Sequence, residues 1–208
     1  MIYEYVRNSL HPVGLASTSV GYFMTTKLIY MANAKPFIKW VGGKSQLIEQ
    51  LDTLLPADFD KWENATYIEP FVGGGAMLFF MLQRYPNIHR AVINDINSDL
   101  ITCYRTIRDT PEELIRSLQE LENTFFALQN EEERKALYLT MRDRYNQKGY
   151  TPVENTTMFI FMNRTCFNGL YRVNKKGSIR NYATINQLIS LSNKENLNTE
   201  HINDEMPQ

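Results

Sequence analysis

The sequence predicts an α/β fold built on a parallel sheet, and three observations lead to it. A short apolar run around Ile68 stops at Gly73-Gly74-Gly75. A second apolar run, Ala91-Val92-Ile93, stops at Asp95. Each run is followed by a stretch with helical spacing. Strand, glycine turn, helix, strand, helix is a βαβ unit, and its two strands run parallel.

The elements follow in order. Ile68 belongs to a strand expected to be buried. From Ala76 to Tyr85 the residues Leu78, Phe79, Met81 and Leu82 give a helical face, and Pro86 stops it. Ala91 to Ile93 reads as a second buried strand. Ser98 is placed to cap a helix from Asp99 through Leu100, Ile101 and Tyr104. Thr110-Pro111-Glu112-Glu113 predicts another helix start, with Thr110 as cap and Glu113 completing a capping box. Its stripe is Leu114, Leu118, Leu121, Phe125 and Leu128. A further helix begins near Asn130, with Glu131 to Glu133 in its first turn, where the positive end of the helix dipole favours them. It carries Leu137, Met141 and Tyr145 and ends at Gly149. Thr157 to Asn163 is short and strongly apolar, and reads as a buried helix.

Composition narrows the function. The chain has 208 residues, 43% hydrophobic and 22% charged, which is enough apolar material for a core. Its net charge of −1 means that any nucleic-acid-binding surface has to be a local patch. Such a patch is visible. Between Asn155 and Asn193 there is no acidic residue, while Arg164, Arg172, Lys175, Lys176 and Arg180 are basic. On charge alone the stretch reads equally as a solvated face. Cys103 and Cys166 are far apart and form no metal-like spacing, so no metal site is expected and a cytoplasmic protein fits. No apolar run is long enough for a membrane helix. Val13 to Met24 is mildly apolar, but Ser17, Thr18, Ser19 and Gly21 interrupt it, against a secretory leader.

The glycine turn and the acidic strand end carry chemistry when taken together. Glycines directly after a strand turn the backbone tightly and let a ligand approach it. Asp95 lies 22 residues after Gly73, and a carboxylate at the end of the next strand accepts hydrogen bonds from both hydroxyls of a ribose. Taken separately, the glycines read as a turn and Asp95 as a cap. The nucleotide classes can be told apart by spacing. A dinucleotide fingerprint starting at Gly73 needs a third glycine where Leu78 stands. A phosphate-binding loop ending at Gly43-Lys44-Ser45 needs a glycine where Ile38 stands. Neither motif is formed.

Four segments in order resemble one family. They are Lys39-Trp40-Val41-Gly42-Gly43-Lys44, Glu69-Pro70-Phe71-Val72-Gly73-Gly74-Gly75, Asn94-Asp95-Ile96-Asn97-Ser98-Asp99-Leu100, and the pair Asn163-Arg164 with Phe167 to Asn174. Together they are similar to the Dam-like, D12-class adenine-N6 DNA methyltransferases, over residues 35–177. The resemblance implies a Rossmann-like fold of the S-adenosylmethionine-dependent methyltransferase type, with a helical target-recognition insertion and double-stranded DNA as partner. It implies that Trp40, Lys44, Glu69, Phe71, Gly73, Gly75 and Asp95 bind the cofactor, with Lys44 on its carboxylate and Asp95 on its ribose. It assigns Lys39, Asn168, Leu170 and Arg172 to DNA. An indole packing near a sulfonium and a lysine on a carboxylate agree with those roles, as does an arginine reaching a guanine edge. Outside the motif Trp40 reads as a core aromatic, and Asn168-Gly169 as a turn.

The same resemblance exposes a departure. The family carries a D-P-P-Y motif that holds the flipped adenine, and no two prolines are adjacent in this chain. No catalytic residue is therefore assigned. Since that motif ends a strand beside the first, the sheet is expected to be incomplete, with Ile68 on an open edge. The expected organisation is an extension at 1–30 outside the native protein, a cofactor-binding part at 31–109, a helical target-recognition part at 110–183 and a loose tail at 184–208. The expected function is site-specific adenine-N6 DNA methylation, by a truncated form or with a second polypeptide supplying the motif. The rival is a non-catalytic remnant that binds S-adenosylmethionine or DNA.

Overall fold

A computed structural model of the chain describes residues 34–40, 42–166, 171–174 and 178–179. The expected extension at 1–30 and the expected tail at 184–208 lie outside the described residues.

Strand β1 (Ala65–Glu69) and strand β2 (Ile88–Ile93) pair in parallel, with Tyr67 opposite Ala91, Ile68 opposite Val92 and Glu69 opposite Ile93. Helix α1 (Ile48–Asp52) precedes them, after a 3-10 turn at Lys44–Leu47. Helix α2 (Ala76–Arg84) makes the crossover between the strands, and Tyr85 closes it. Among the described residues the sheet has these two strands. The chain is thus a mixed helix and strand protein around a small parallel sheet.

The side chains of β1 alternate. Ala65, Tyr67 and Glu69 turn inward, while Thr66 and Ile68 turn outward. The expectation of two buried strands is corrected here. Ile68 is 63% exposed and its register partner Val92 is 38% exposed. Period-two geometry puts the pair on one face, and the described helices cover the other. Phe71 and Ile96, just beyond the strand ends, are exposed as well.

Four helices complete the described structure: α3 (Ser98–Asp109), α4 (Pro111–Ala127), α5 (Glu131–Gln147) and α6 (Pro152–Thr165). Helix α6 packs against α3, α4 and α5. Its first turn reaches solvent, but its residues Thr156 to Asn163 are all buried, as is Thr165, so over that stretch it has no solvent face. A helix apolar all round belongs in a core. Its Ile160, Phe161 and Met162 share one core cluster with Phe37, Leu100, Leu114, Leu118, Phe125 and Tyr138. Cys103 is buried in α3, and Cys166 sits at the end of α6, where its Sγ contacts the Asn163 carbonyl at 3.5 Å.

Two capping expectations are corrected. Asn97, not Ser98, caps α3, its Oδ1 accepting from the Leu100 amide at 3.0 Å. At α4 the Thr110 hydroxyl donates back to the Thr106 carbonyl at 3.3 Å, so the predicted box with Glu113 does not form. A local carbonyl outcompetes the amide that a cap would serve. The capping box stands instead at α6. There the Thr151 amide donates to Glu154 Oε2 at 2.9 Å, and the Glu154 amide to Thr151 Oγ1 at 3.2 Å. That helix therefore begins at Pro152, five residues before the predicted start. Helix α5 starts where expected, and Asn130 caps it, its Oδ1 accepting from the Glu133 amide at 2.9 Å. That helix ends at Gln147, and Lys148 and Gly149 both take positive φ.

The turn after β1 depends on Gly75. Its φ is +82°, and a Cβ there would stand 2.5 Å from the Tyr104 hydroxyl and 3.0 Å from Phe79 Cε2. Gly42 has a similar φ of +77° but open space around it. We expect Gly42→Ala to cost about 1 kcal/mol, the penalty of left-handed backbone. Gly75→Ala adds a clash and should cost about 3 kcal/mol or more. Denaturant unfolding of the two variants measures the gap; equal costs would show that the turn relaxes freely.

Candidate functional site

Two segments distant in sequence form the walls of one cleft of about 510 Å³. One wall is the strap from Pro36 to Ser45, and the other is the turn from Glu69 to Ala76, with Asp95 at the end of β2. The sheet sets the second wall. The Asn94 amide donates to the Glu69 carbonyl and the Val72 amide to the Asn94 carbonyl, both at 2.9 Å. These bonds carry the parallel pairing past the strand ends and bring Asp95 alongside the glycines.

The Asp95 carboxylate holds the turn. Its Oδ2 accepts from the Gly73 amide at 3.0 Å and its Oδ1 from the Asn97 amide at 2.9 Å. From behind, the Tyr104 hydroxyl donates to the Gly73 carbonyl at 3.0 Å. Burial first, and then the nearby Glu69 carboxylate, push the Tyr104 phenol up, so it stays a donor throughout the physiological range.

The strap meets the turn at Trp40. A Cβ at Gly73 would lie 3.1 Å from the indole Cδ1, and one at Gly74 3.2 Å from Trp40 Cβ. The glycines thus permit this approach. Behind Trp40 stand Tyr171, with ring centroids 5.5 Å apart, and Phe159, at 6.2 Å.

Lys44 reaches across the cleft. Its Nζ lies 3.0 Å from the Phe71 carbonyl and 3.3 Å from Glu69 Oε1. Glu69 is 6% exposed, and its other oxygen accepts from the Tyr67 hydroxyl at 3.0 Å. Burial pushes the Glu69 carboxyl up from its ordinary 4.5, against the opposing pull of Tyr67 and Lys44. One wall therefore carries a cation set against a buried acid, and the turn carries a second acid anchored by two amides.

Of the residues singled out from the sequence, Lys39, Trp40, Lys44, Glu69, Phe71, Gly73 and Asp95 all line the cleft. Gly75 does not; it lies buried beneath the turn, against Tyr104. Arg172 is exposed just beyond Tyr171, whose hydroxyl donates to Asp99 Oδ2 at 3.0 Å. Asn168 and Leu170 lie outside the described residues. Sequence reasoning missed the parts played by Tyr67, Tyr104 and Tyr171, because nothing in their spacing shows that these hydroxyls reach Glu69, Gly73 and Asp99. It read Asn163-Arg164 only as part of a recognition segment, whereas both hold the strap. Among the described residues no cluster of metal ligands occurs, and no helix is long and apolar enough to cross a membrane.

Comparison with known proteins follows the same residues. The profile of the D12 class N6 adenine-specific DNA methyltransferases matches residues 40–205. A type II methyltransferase of Methanocaldococcus jannaschii is 46% identical over 145 residues, which are 69% of this chain and 50% of that protein. A DNA adenine methylase of Vibrio cholerae is 34% identical over 147 residues, covering 71% of this chain and 47% of its own length. The DNA N-6-adenine-methyltransferase of Escherichia phage P1 is 37% identical over 143 residues, 69% of this chain and 17% of that one. The chain spans about half the length of the first two. With a family profile covering most of its length and the motif residues gathered on one cleft, the chain belongs to the D12 class N6 adenine-specific DNA methyltransferase family.

Proposed function

We propose that this chain carries the cofactor-binding part of an enzyme that methylates adenine N6 at specific sites in double-stranded DNA, with S-adenosylmethionine as methyl donor. The observation that carries the reading is the convergence of the Lys39–Lys44 strap and the Glu69–Asp95 wall on one cleft. Its size suits a nucleoside-sized ligand, for which pockets of roughly 300–1,000 Å³ are usual.

The donor set fits the cofactor. S-adenosylmethionine joins a zwitterionic amino acid to an adenosine, and the cleft offers a cation, two carboxylates and an aromatic face. We assign Lys44 to the cofactor carboxylate, Asp95 to the ribose hydroxyls, and Glu69 with the Phe71 segment to the methionyl end. Trp40 packs on the cofactor, Gly73 leaves room for it, and Gly75 serves it by shaping the turn. When bound, the cofactor supplies a methyl group on a sulfonium for transfer to an amine. Lys39 on the cleft rim and exposed Arg172 are assigned to DNA, together with Asn168 and Leu170. A phosphate contact by any of the basic residues adds affinity that falls with salt. The D-P-P-Y segment that would hold the flipped adenine has no counterpart in these 208 residues. We place the docking of a second polypeptide supplying it on the edge of β1 opposite β2.

Calorimetry with S-adenosylmethionine should show binding that Asp95→Ala weakens by about 1–3 kcal/mol, through lost charge-assisted hydrogen bonds. Unchanged binding by the variant would remove Asp95 from the site. In an isotope-transfer assay on mixed-sequence duplex DNA, the 208-residue chain should bind cofactor and leave the DNA at background. Label in adenine would show that other residues hold the base.

The Glu69 shift has a signed consequence. Its folded pKa lies above the ordinary 4.5, so its contribution to stability is complete below that value and falls as pH rises through the raised one. Glu69→Gln should remove this decline. Thermal melts from pH 4 to pH 8, on the order of the window set by carboxylate titration, should show the variant gaining on the parent as pH rises. Parallel curves would mean that Lys44 fully offsets the burial.

A further inference from the structure

Helix α6 lies outside the cleft, yet its last turn holds the wall that faces the cofactor. Asn163 is 5% exposed, and a buried amide is costly unless its groups are bonded. Its Oδ1 accepts from the Lys39 amide at 2.8 Å, and its Nδ2 donates to the Lys39 carbonyl at 2.8 Å. A backbone N–H only donates and a C=O only accepts, so the orientation of the side-chain amide is unambiguous. The two bonds span 124 residues of sequence and grip one residue at both ends. Next to it, Arg164 Nη2 donates to the Phe37 carbonyl at 2.6 Å. Phe37 is fully buried, edge-on to Tyr104 at 5.2 Å.

Trp40 follows Lys39 directly. The plane of its indole depends on the peptide that Asn163 holds, and that indole touches the glycines whose amide anchors Asp95. We infer that Asn163 is a positioning residue of the cofactor cleft. It fixes the Lys39 peptide so that Trp40 covers Gly73 and Gly74 in the orientation that a nucleoside requires. The inference rests on the cofactor reading of the cleft. It gives α6 a second role beside that of a core helix: its last turn tunes affinity for a ligand that it does not touch.

The sequence contains two tryptophans, Trp40 and Trp62. Trp62 packs edge-on against Phe59, away from the cleft. In a Trp62→Phe parent, the emission of Trp40 therefore reports the strap directly. Asn163→Ala removes both bonds. Asn163→Asp keeps the acceptor for the Lys39 amide and loses the donor to its carbonyl, and it decides the matter if the alanine variant does not fold. Thr157→Ala is the control. It removes a half-buried bond from the same helix, Thr157 Oγ1 to Ser117 Oγ at 2.9 Å, more than a turn from Asn163.

Both Asn163 variants should raise the Kd for S-adenosylhomocysteine about tenfold or more, as expected when buried bonds to a binding wall are lost. They should also move Trp40 emission to longer wavelength and increase its quenching by acrylamide. Thr157→Ala should lower Tm with Kd and emission at parent values. Asn163 variants that lose Tm but keep the parent Kd and emission would overturn the inference, as would a control that weakens binding equally. A parent that binds no S-adenosylhomocysteine would overturn the cofactor reading, and the inference with it. A parent that binds, with insensitive Asn163 variants, overturns the inference alone.

Discussion

Burial of α6 on every side from Thr156 to Asn163 is the constraint from which the described structure hangs. A helix with no solvent face must be enclosed by other elements, and α3, α4, α5 and the 34–40 segment enclose this one. Deletion of a large side chain such as Phe161 or Ile160 would leave a cavity, at a typical cost of about 2–5 kcal/mol. Enclosure also brings the segment containing Phe37 against the C-terminal turn of α6, where Asn163 and Arg164 bind its backbone. The cleft inherits its rigidity from this core. One of its walls is the outer surface of a strap whose inner surface is core.

The glycine turn is held just as firmly from other directions. Asp95 binds the Gly73 amide, Tyr104 binds the Gly73 carbonyl, and Trp40 leans on Gly73 and Gly74. Each constraint comes from a different element: the end of β2, the middle of α3 and the strap. A ligand entering the cleft meets backbone that has little left to order, which lowers the entropic cost of binding. The positive φ of Gly73 and Gly75 is sustained because the surroundings over-determine it.

The motifs were legible because they are local. The strand, glycine turn, helix and acidic strand end each leave a signature within a few residues, and the structure gathers on one cleft seven of the residues that the family resemblance named. The contacts that hold those motifs were not legible. Asn163 meets Lys39 across 124 residues, and Tyr104 meets Gly73 across 31; no short-range pattern encodes such pairings. The capping errors have the same origin at smaller scale. Thr110 followed by Pro111 and Glu113 has the letters of a capping box, but its hydroxyl turns back to Thr106. Thr151, Pro152 and Glu154 have the same letters and form one. Strand burial was misjudged because apolar content says that a face can be covered, not which face is. The outward pair Ile68 and Val92 satisfies the β pattern as well as an inward pair would.

The uniform burial of α6 has a consequence for how that helix is aimed. An amphipathic helix finds its rotation from its apolar stripe. This one has no stripe, so hydrophobicity is nearly indifferent to rotation about its axis. Polar contacts act as the index marks instead: Thr156 to Thr106 at 3.0 Å, Thr157 to Ser117 at 2.9 Å, and Asn163 to Lys39. They point from α6 toward α3, α4 and the strap, so together they select one azimuth. Turning the helix by one residue, about 100°, would keep its apolar contacts roughly equivalent and strand all three polar pairs. The small number of buried hydroxyls and amides on α6 thus sets its heading, while the larger apolar surface holds it in place.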